Sequence, residues 1–253
     1  MSIAIGATAR SERDEVDGDQ RYGYNKGAAQ GRFYAGLSDS DSAFRSLLDG
    51  FAAGDRVLQI GCGVDSIGFE LAARGVEVVG IDVSAVAVEQ AALAAGRQGL
   101  DSASFRIMRA EVLEWPPNSF DGVIGSAVLH RVDVACTFAE TSRVLRPGGV
   151  AAFLEPLGHN FVINRHRRRT RAARMQFEHP LRKEDFSLGS RYFGHVNVET
   201  HHLLSILTSP ISDRFGGRTV HRVAAACDRV LLRHLSWLRW HAWIAVVELR
   251  VEA

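Results

Sequence analysis

Two glycines and an acid make the sharpest chemical signal in the chain. Gln59-Ile60-Gly61-Cys62-Gly63 follows a short apolar run and precedes a stretch with helical spacing, and Asp82 comes 21 residues after Gly61. Glycines at such a junction let the backbone turn tightly and approach a ligand with no Cβ in the way. The helix that follows offers unpaired N–H groups to the same ligand. An acid at the end of the next strand, at this spacing, suits a carboxylate that accepts hydrogen bonds from a ribose diol. Proton-transfer candidates are His130, His159 and His179, with Glu155 and Asn160 in the same segment as His159, Glu155-Pro156-Leu157-Gly158-His159-Asn160. Imidazole is the side chain whose ordinary pKa suits acid–base work near neutrality.

These residues need a scaffold, and the sequence supplies one. Arg56–Gly61, Val76–Ile81, Ser104–Arg109, Phe120–Ser126 and Val150–Leu154 read as buried strands. Between them, Ser66–Arg74, a segment capped by Ser84, and Cys136–Leu145 read as helices. Strands alternating with helices imply a parallel sheet with right-handed crossovers. Ligands of such sheets bind outside the carboxyl ends of the strands, where Gly61, Asp82, Ser126 and Glu155 all fall. After residue 155 the alternation breaks. A helix around Lys183–Phe193 and a strand over His195–Leu203 are expected. Val220, Val223, Cys227, Val230, Leu231, Leu235 and Leu238 share helical spacing, and Trp243–Leu249 reads as a last strand.

Length and composition fit this reading. The 253 residues suffice for one large α/β domain, with 46% hydrophobic and 23% charged residues and a net charge of +1. Nothing global points to nucleic acid. Cys62, Cys136 and Cys227 are too few and too scattered for a disulfide framework or a zinc site, and no metal cluster is apparent. A reducing, cytoplasmic compartment is the simplest expectation. The first residues lack the pattern of a signal peptide, and no apolar run is long enough for a membrane span. Residues 1–20 are expected to form a flexible tail and 21–253 a single domain. Asn164–Arg174 is strongly basic, and a solvated helix face is its default reading. The amphipathic, Trp-rich segment LLRHLSWLRWHAWIAVV has some features of a membrane interface, but its arginine spacing and strand-like end fit a last helix and strand better.

The glycine loop and Asp82 alone do not separate a nicotinamide cofactor from S-adenosylmethionine. Longer segments do. VLQIGCGVDSIGFELAARGVEVVGIDVS resembles the first motifs of the class I S-adenosylmethionine-dependent methyltransferases, FDGVIGSAVLHRVD their fourth-strand segment, and RVLRPGGVAAFLEP their Leu-Arg-Pro-Gly-Gly turn and fifth strand. The resemblance is close over Ala53–Pro156. It implies a Rossmann-like α/β fold: a seven-stranded, mostly parallel sheet with helices on both faces and one antiparallel strand, here the one from Trp243. It implies S-adenosylmethionine as cofactor and S-adenosylhomocysteine as product. By resemblance, Gln59, Gly61, Cys62, Gly63, Asp82, Val83, Glu111, Val112, Ser126 and Ala127 hold the cofactor. His130 and His159 are the catalytic candidates. Tyr22, Tyr34, Glu155, Asn160 and His179 are the acceptor-site candidates. Residues 21–52 supply lid helices and 157–192 an insertion over the acceptor. Two positions depart from the family pattern. Gln59 stands where the family often has an acid, and Asp65 replaces the third glycine.

The expected reaction is methyl transfer to an O, N or C atom of a small-molecule acceptor. Ser126-Ala127-Val128 stands where amino-methylating nucleic-acid enzymes carry Asn-Pro-Pro-Tyr/Phe, so a nucleic-acid partner is not expected. The sequence leaves oligomeric state open, with a homodimer among the options. The alternatives are a cyclase-like enzyme that uses the bound sulfonium without methylating, a silent binding subunit, and a nucleotide-dependent oxidoreductase. Formation of S-adenosylhomocysteine separates the first from a methyltransferase, a flat titration marks the second, and a thermal shift with NADH would mark the third.

Overall fold

The computed structural model describes residues 37–64, 66–161, 181–208 and 216–253. In chain order the elements are α1 (Ser38–Leu48), β1 (Arg56–Ile60), α2 (Gly68–Ala72), β2 (Glu77–Asp82), α3 (Ala85–Arg97), β3 (Ala103–Ile107), β4 (Phe120–Ser126), α4 (Val134–Val144), β5 (Leu145–Pro156), α5 (Lys183–Ser187), β6 (His195–His201), α6 (Gly217–His234) and β7 (Ile244–Arg250). The seven strands form one sheet in the order β3-β2-β1-β4-β5-β7-β6. The first five pair in parallel, and β7 runs antiparallel between β5 and β6. This is the expected Rossmann-like arrangement, with the strand after Trp243 as the antiparallel one.

Alternation along the strands divides the core in two. Leu58, Val79, Val123, Ala151 and Phe153 point to one face, where α4 packs Phe138 and Val144. Val57, Val78, Ile124, Ala152 and Val246 point to the other, where α1 and the α2 region bring Phe44, Leu48 and Leu71. Both faces are covered, which is why these strands read as near-continuous apolar runs. Two helix starts are set by side-chain caps, of which Ser84 is legible in the sequence. Ser84 Oγ accepts from Ala87 N at 3.2 Å, and Asp133 Oδ1 accepts from Cys136 N at 2.9 Å.

Several expectations are corrected. Residues 38–48 of the expected lid form a helix whose one face packs on the core, with Phe44 fully buried. The rest of that lid, residues 21–36, lies outside the described residues, as do 1–20, the basic stretch 164–174 and residues 162–180 of the expected insertion. The helix expected over Lys183–Phe193 ends at Ser187 and continues as a 3-10 turn, Leu188–Arg191. Strand β5 begins at Leu145, not Val150. Its Arg146-Pro147-Gly148-Gly149 turn is taken up as an irregularity between the Phe120–Leu145 and Gly122–Val150 pairs. On α6, Val220, Val223 and Val230 are exposed, and Gly217, Ala225 and Asp228 are buried instead. Periodicity shows that residues share a face, not which face is buried. Among the described residues no helix is long and apolar enough to cross a membrane.

A buried polar network ties α1, β6 and α6 together. His202 follows β6 with a left-handed φ of 65°. Its Nε2 meets Ser40 Oγ at 3.0 Å and its Nδ1 meets Ser205 Oγ at 3.1 Å. Ser205 Oγ in turn donates to Asp228 Oδ2 at 2.7 Å. Burial, reinforced by the neighbouring His201, pushes the His202 pKa down to about 4 against the pull of Asp39 and Asp228, with His221 adding to the lowering. The unfolded imidazole titrates near 6.5, so the stability tied to a neutral His202 is present above that pH and is lost as pH falls toward 4. We expect unfolding free energy to drop by on the order of 2 kcal/mol between pH 7 and pH 5. Denaturant titrations of the wild type and His202→Asn, a residue that tolerates the left-handed conformation, would show it. The variant should flatten the slope; an unchanged slope would refute the assignment.

Candidate functional site

Because β1 to β5 are parallel, their carboxyl ends meet along one edge, and the site is assembled there. The loop after β1 turns at Gly61 (φ 68°) and Gly63 (φ 56°), both in the left-handed region that favours glycine. A Cβ on Gly61 would stand 2.8 Å from Val128 Cγ2. The Asp82 carboxylate organises the opposite side of the loop. Its Oδ2 accepts from Gly63 N and its Oδ1 from Ser84 N, each at 3.0 Å. A carboxylate has about four acceptor positions, so Asp82 keeps capacity for two further donors. Val83 is half-buried beside it.

Gln59 is buried, and its Oε1 accepts from Ser66 Oγ at 2.5 Å and Gly68 N at 2.9 Å. Its amide oxygen therefore closes the loop onto the start of α2, work that needs an acceptor and no charge. Cys62 is buried, and burial first, then the charge of Asp82, pushes its thiol well above the ordinary range. It is a lining group, not a nucleophile. Glu111, after β3, accepts from Asp133 N at 3.2 Å and pairs with Arg109 at 3.3 Å, which ties the segment after β3 to the start of α4. Val112 next to it is 66% exposed.

Beyond β4, Ser126 and Ala127 are half-buried, and Ala127 holds φ at 54°, with its N–H donating to Leu154 O at 2.8 Å. Glu155 stands under this turn with no exposed surface. Its Oε1 accepts from Val128 N at 2.7 Å and Leu129 N at 2.8 Å, and its Oε2 from His130 Nδ1 at 2.9 Å. Arg131 Nε donates to His130 Nε2 at 3.2 Å. A guanidinium can only donate, so Nε2 is the acceptor in this contact, and both ring nitrogens are engaged. The structure thus joins Glu155, expected at the acceptor site, to His130, expected as a base. Full burial withdraws Glu155 from any direct acceptor contact.

His159 is exposed, and its ring lies edge-on to His241 with centroids 6.3 Å apart. Asn160 is buried, and its Nδ2 donates to His241 O at 3.0 Å. Tyr22, Tyr34, His179 and Asp65 lie outside the described residues. Among the described residues no group of three or more His, Cys, Asp or Glu is arranged to hold a metal. Sequence reasoning missed Ser66, Arg131 and His241 as parts of the site. Ser66 carried a signal, a hydroxyl just ahead of a helix start. Nothing local marks His241, which arrives from the far end of the chain.

Comparison with known proteins bears on this arrangement. Residues 58–153 match a family model described as a methyltransferase domain. The chain is 37% identical over 113 residues to aklanonic acid methyltransferase DauC of Streptomyces sp. (strain C5), covering 41% of this chain and 49% of that protein. It therefore spans about half the length of that relative. It is 29% identical over 197 residues to EEF1A lysine methyltransferase 4 of Mus musculus, covering 70% and 72%. Phosphoethanolamine N-methyltransferase 2 of Haemonchus contortus, solved in complex with S-adenosyl-L-methionine, has the same fold. Its TM-score is 0.61 at 16% identity, covering 85% of this chain and 53% of that one.

Proposed function

We propose that the chain is a class I S-adenosylmethionine-dependent methyltransferase, as the match of residues 58–153 to a methyltransferase domain supports, and that it moves the methyl group of S-adenosylmethionine onto an O, N or C atom of a small-molecule acceptor. The choice of S-adenosylmethionine over a nicotinamide cofactor rests on the methyltransferase-domain match, and the observation that supports nucleoside binding is Asp82, fixed between Gly63 N and Ser84 N with acceptor capacity left over. A ribose diol needs those acceptors. The residues present fit the cofactor: Asp82 for the ribose, Glu111 and Val112 for the adenine, and the Gly61–Gly63 backbone with Ser126 and Ala127 for the methionine end. When bound, the cofactor supplies an electrophilic methyl carbon on a sulfonium.

The chain's own part is positioning and exclusion of water, which supply most of the advantage in an in-line displacement. His130 acts as a positioning residue, since Glu155 and Arg131 already use both its nitrogens. His159, exposed beyond the carboxyl end of β5, is the group placed to take a proton where the acceptor must lose one. An acceptor of small-molecule type is supported by the relative named for aklanonic acid. A soluble, cytoplasmic setting is part of the same proposal.

The test is calorimetric titration with S-adenosylmethionine, followed by an assay for S-adenosylhomocysteine across phenolic, amine and activated-carbon acceptors. Heat of binding followed by product is expected. No heat at millimolar ligand would overturn the reading, and binding with substrate turnover but no S-adenosylhomocysteine would move it to a non-methylating enzyme. A companion result concerns the loop. Gly61→Ala puts a Cβ at a positive φ and against Val128. It should weaken S-adenosylhomocysteine binding by about tenfold or more, and an unchanged Kd would show that the loop does not approach the ligand.

A further inference from the structure

We propose that the outer face of α6, with the turn after it, docks the protein peripherally on an anionic lipid surface. Val220, Val223, Cys227 and Val230 repeat at intervals of three and four residues, which gathers them within an arc of about 80° at 100° per residue. All four are exposed, Val223 and Val230 by 59% and 60%, and Trp237 just past the helix by 66%. The stripe cannot roll inward. Asp228, on another face of α6, is buried and accepts from the N–H groups of Leu203, Leu204 and Ser205 at 3.0, 2.7 and 3.0 Å, and from Ser205 Oγ. Four bonds to one carboxylate fix the rotation of the helix about its axis, with the apolar stripe outward.

Charge chooses the occupant. Arg218, Arg222, Arg229 and Arg233 form a second ribbon along the helix. Arg229 pairs with Asp39 at 2.7 Å, while the other three have no carboxylate partner among the described residues. The helix's one acid, Asp228, is consumed in the interior. An outward surface of valines and arginines, ended by an exposed tryptophan, matches what an anionic headgroup layer offers. Guanidinium groups pair with phosphate oxygens, aliphatic side chains enter the acyl boundary, and an indole sits at the interface. A second copy would bring arginine ribbon against arginine ribbon, which like-charge repulsion opposes.

The experiment is flotation of the full chain with phosphatidylcholine vesicles, with and without phosphatidylserine. The wild type should float with the anionic vesicles alone and be released by high salt. Val223→Glu and Val230→Glu, at exposed positions, should lower the bound fraction by more than about tenfold. Arg222→Gln and Arg233→Gln should each lower it by roughly fivefold. Circular dichroism and cofactor titration should match the wild type in all four. Any of three results would overturn the proposal: no flotation with anionic vesicles, flotation that Val230→Glu leaves unchanged, or a Val230-dependent dimer in sedimentation with no vesicle binding. The last would assign the face to a second copy. Capture of an acidic partner protein by a chain that ignores vesicles would overturn it equally.

Discussion

Glu155→Ala is expected to lower the unfolding free energy by about 3–5 kcal/mol, from three buried donors left unmet at roughly 1–3 kcal/mol each, which for a chain of this size moves Tm down by on the order of 10 °C. The carboxylate has no exposed surface, and three donors end on it: Val128 N, Leu129 N and His130 Nδ1. Alanine would leave all three buried without an acceptor, and each unmet donor carries most of its desolvation cost. Glu155→Gln keeps one acceptor oxygen but turns an NH2 toward a donor, so an intermediate loss is expected. Thermal and urea denaturation would measure both. A Tm within a few degrees of wild type for the alanine variant would mean that the turn finds other partners. The effect should also reach the cofactor loop, because the turn Glu155 holds carries Val128, the side chain nearest the space above Gly61.

Asp82→Ala is expected to weaken S-adenosylhomocysteine binding by about a hundredfold, close to 3 kcal/mol. It removes the proposed ribose acceptor and also the two bonds that shape the site, to Gly63 N and Ser84 N. Asp82→Asn separates the contributions. An asparagine presents one oxygen and one NH2, so one of the two backbone donors would face a donor. Its affinity should therefore fall by more than about tenfold, although its size is nearly unchanged. Calorimetric titration reads both variants. Wild-type affinity in Asp82→Ala would remove Asp82 from the site.

Much of the fold is legible because the strands are buried on both faces and the helices are amphipathic. The apolar runs Arg56–Gly61 and Val76–Ile81 and the cap Ser84 locate the first units within a residue or two. Less regular parts escape for physical reasons. The segment from Lys183 tightens to a 3-10 turn at Leu188, where Gly189 lies close against Val196 and Leu249. An isolated helical pattern carries no record of that contact. Strand β5 absorbs its Pro-Gly-Gly turn into an irregular pairing with β4, because the neighbouring strand extends far enough to hold it.

The site divides along the same line. Gly61, Gly63 and Asp82 are fixed by the sequence alone, because a loop between strand and helix and an acid at the next strand's end are both local, and parallel pairing carries them to one edge. Tertiary structure decided the rest. His130 and Glu155 each look like chemistry in isolation. Only the pairing of β4 with β5 reveals that the carboxylate is sealed beneath the turn and that both ring nitrogens are taken. The valines of α6 have the spacing of a core face. Asp228, seated on the backbone of Leu203 to Ser205, turns them outward. Periodicity determines which residues travel together, and the partner that a buried carboxylate finds determines where they point.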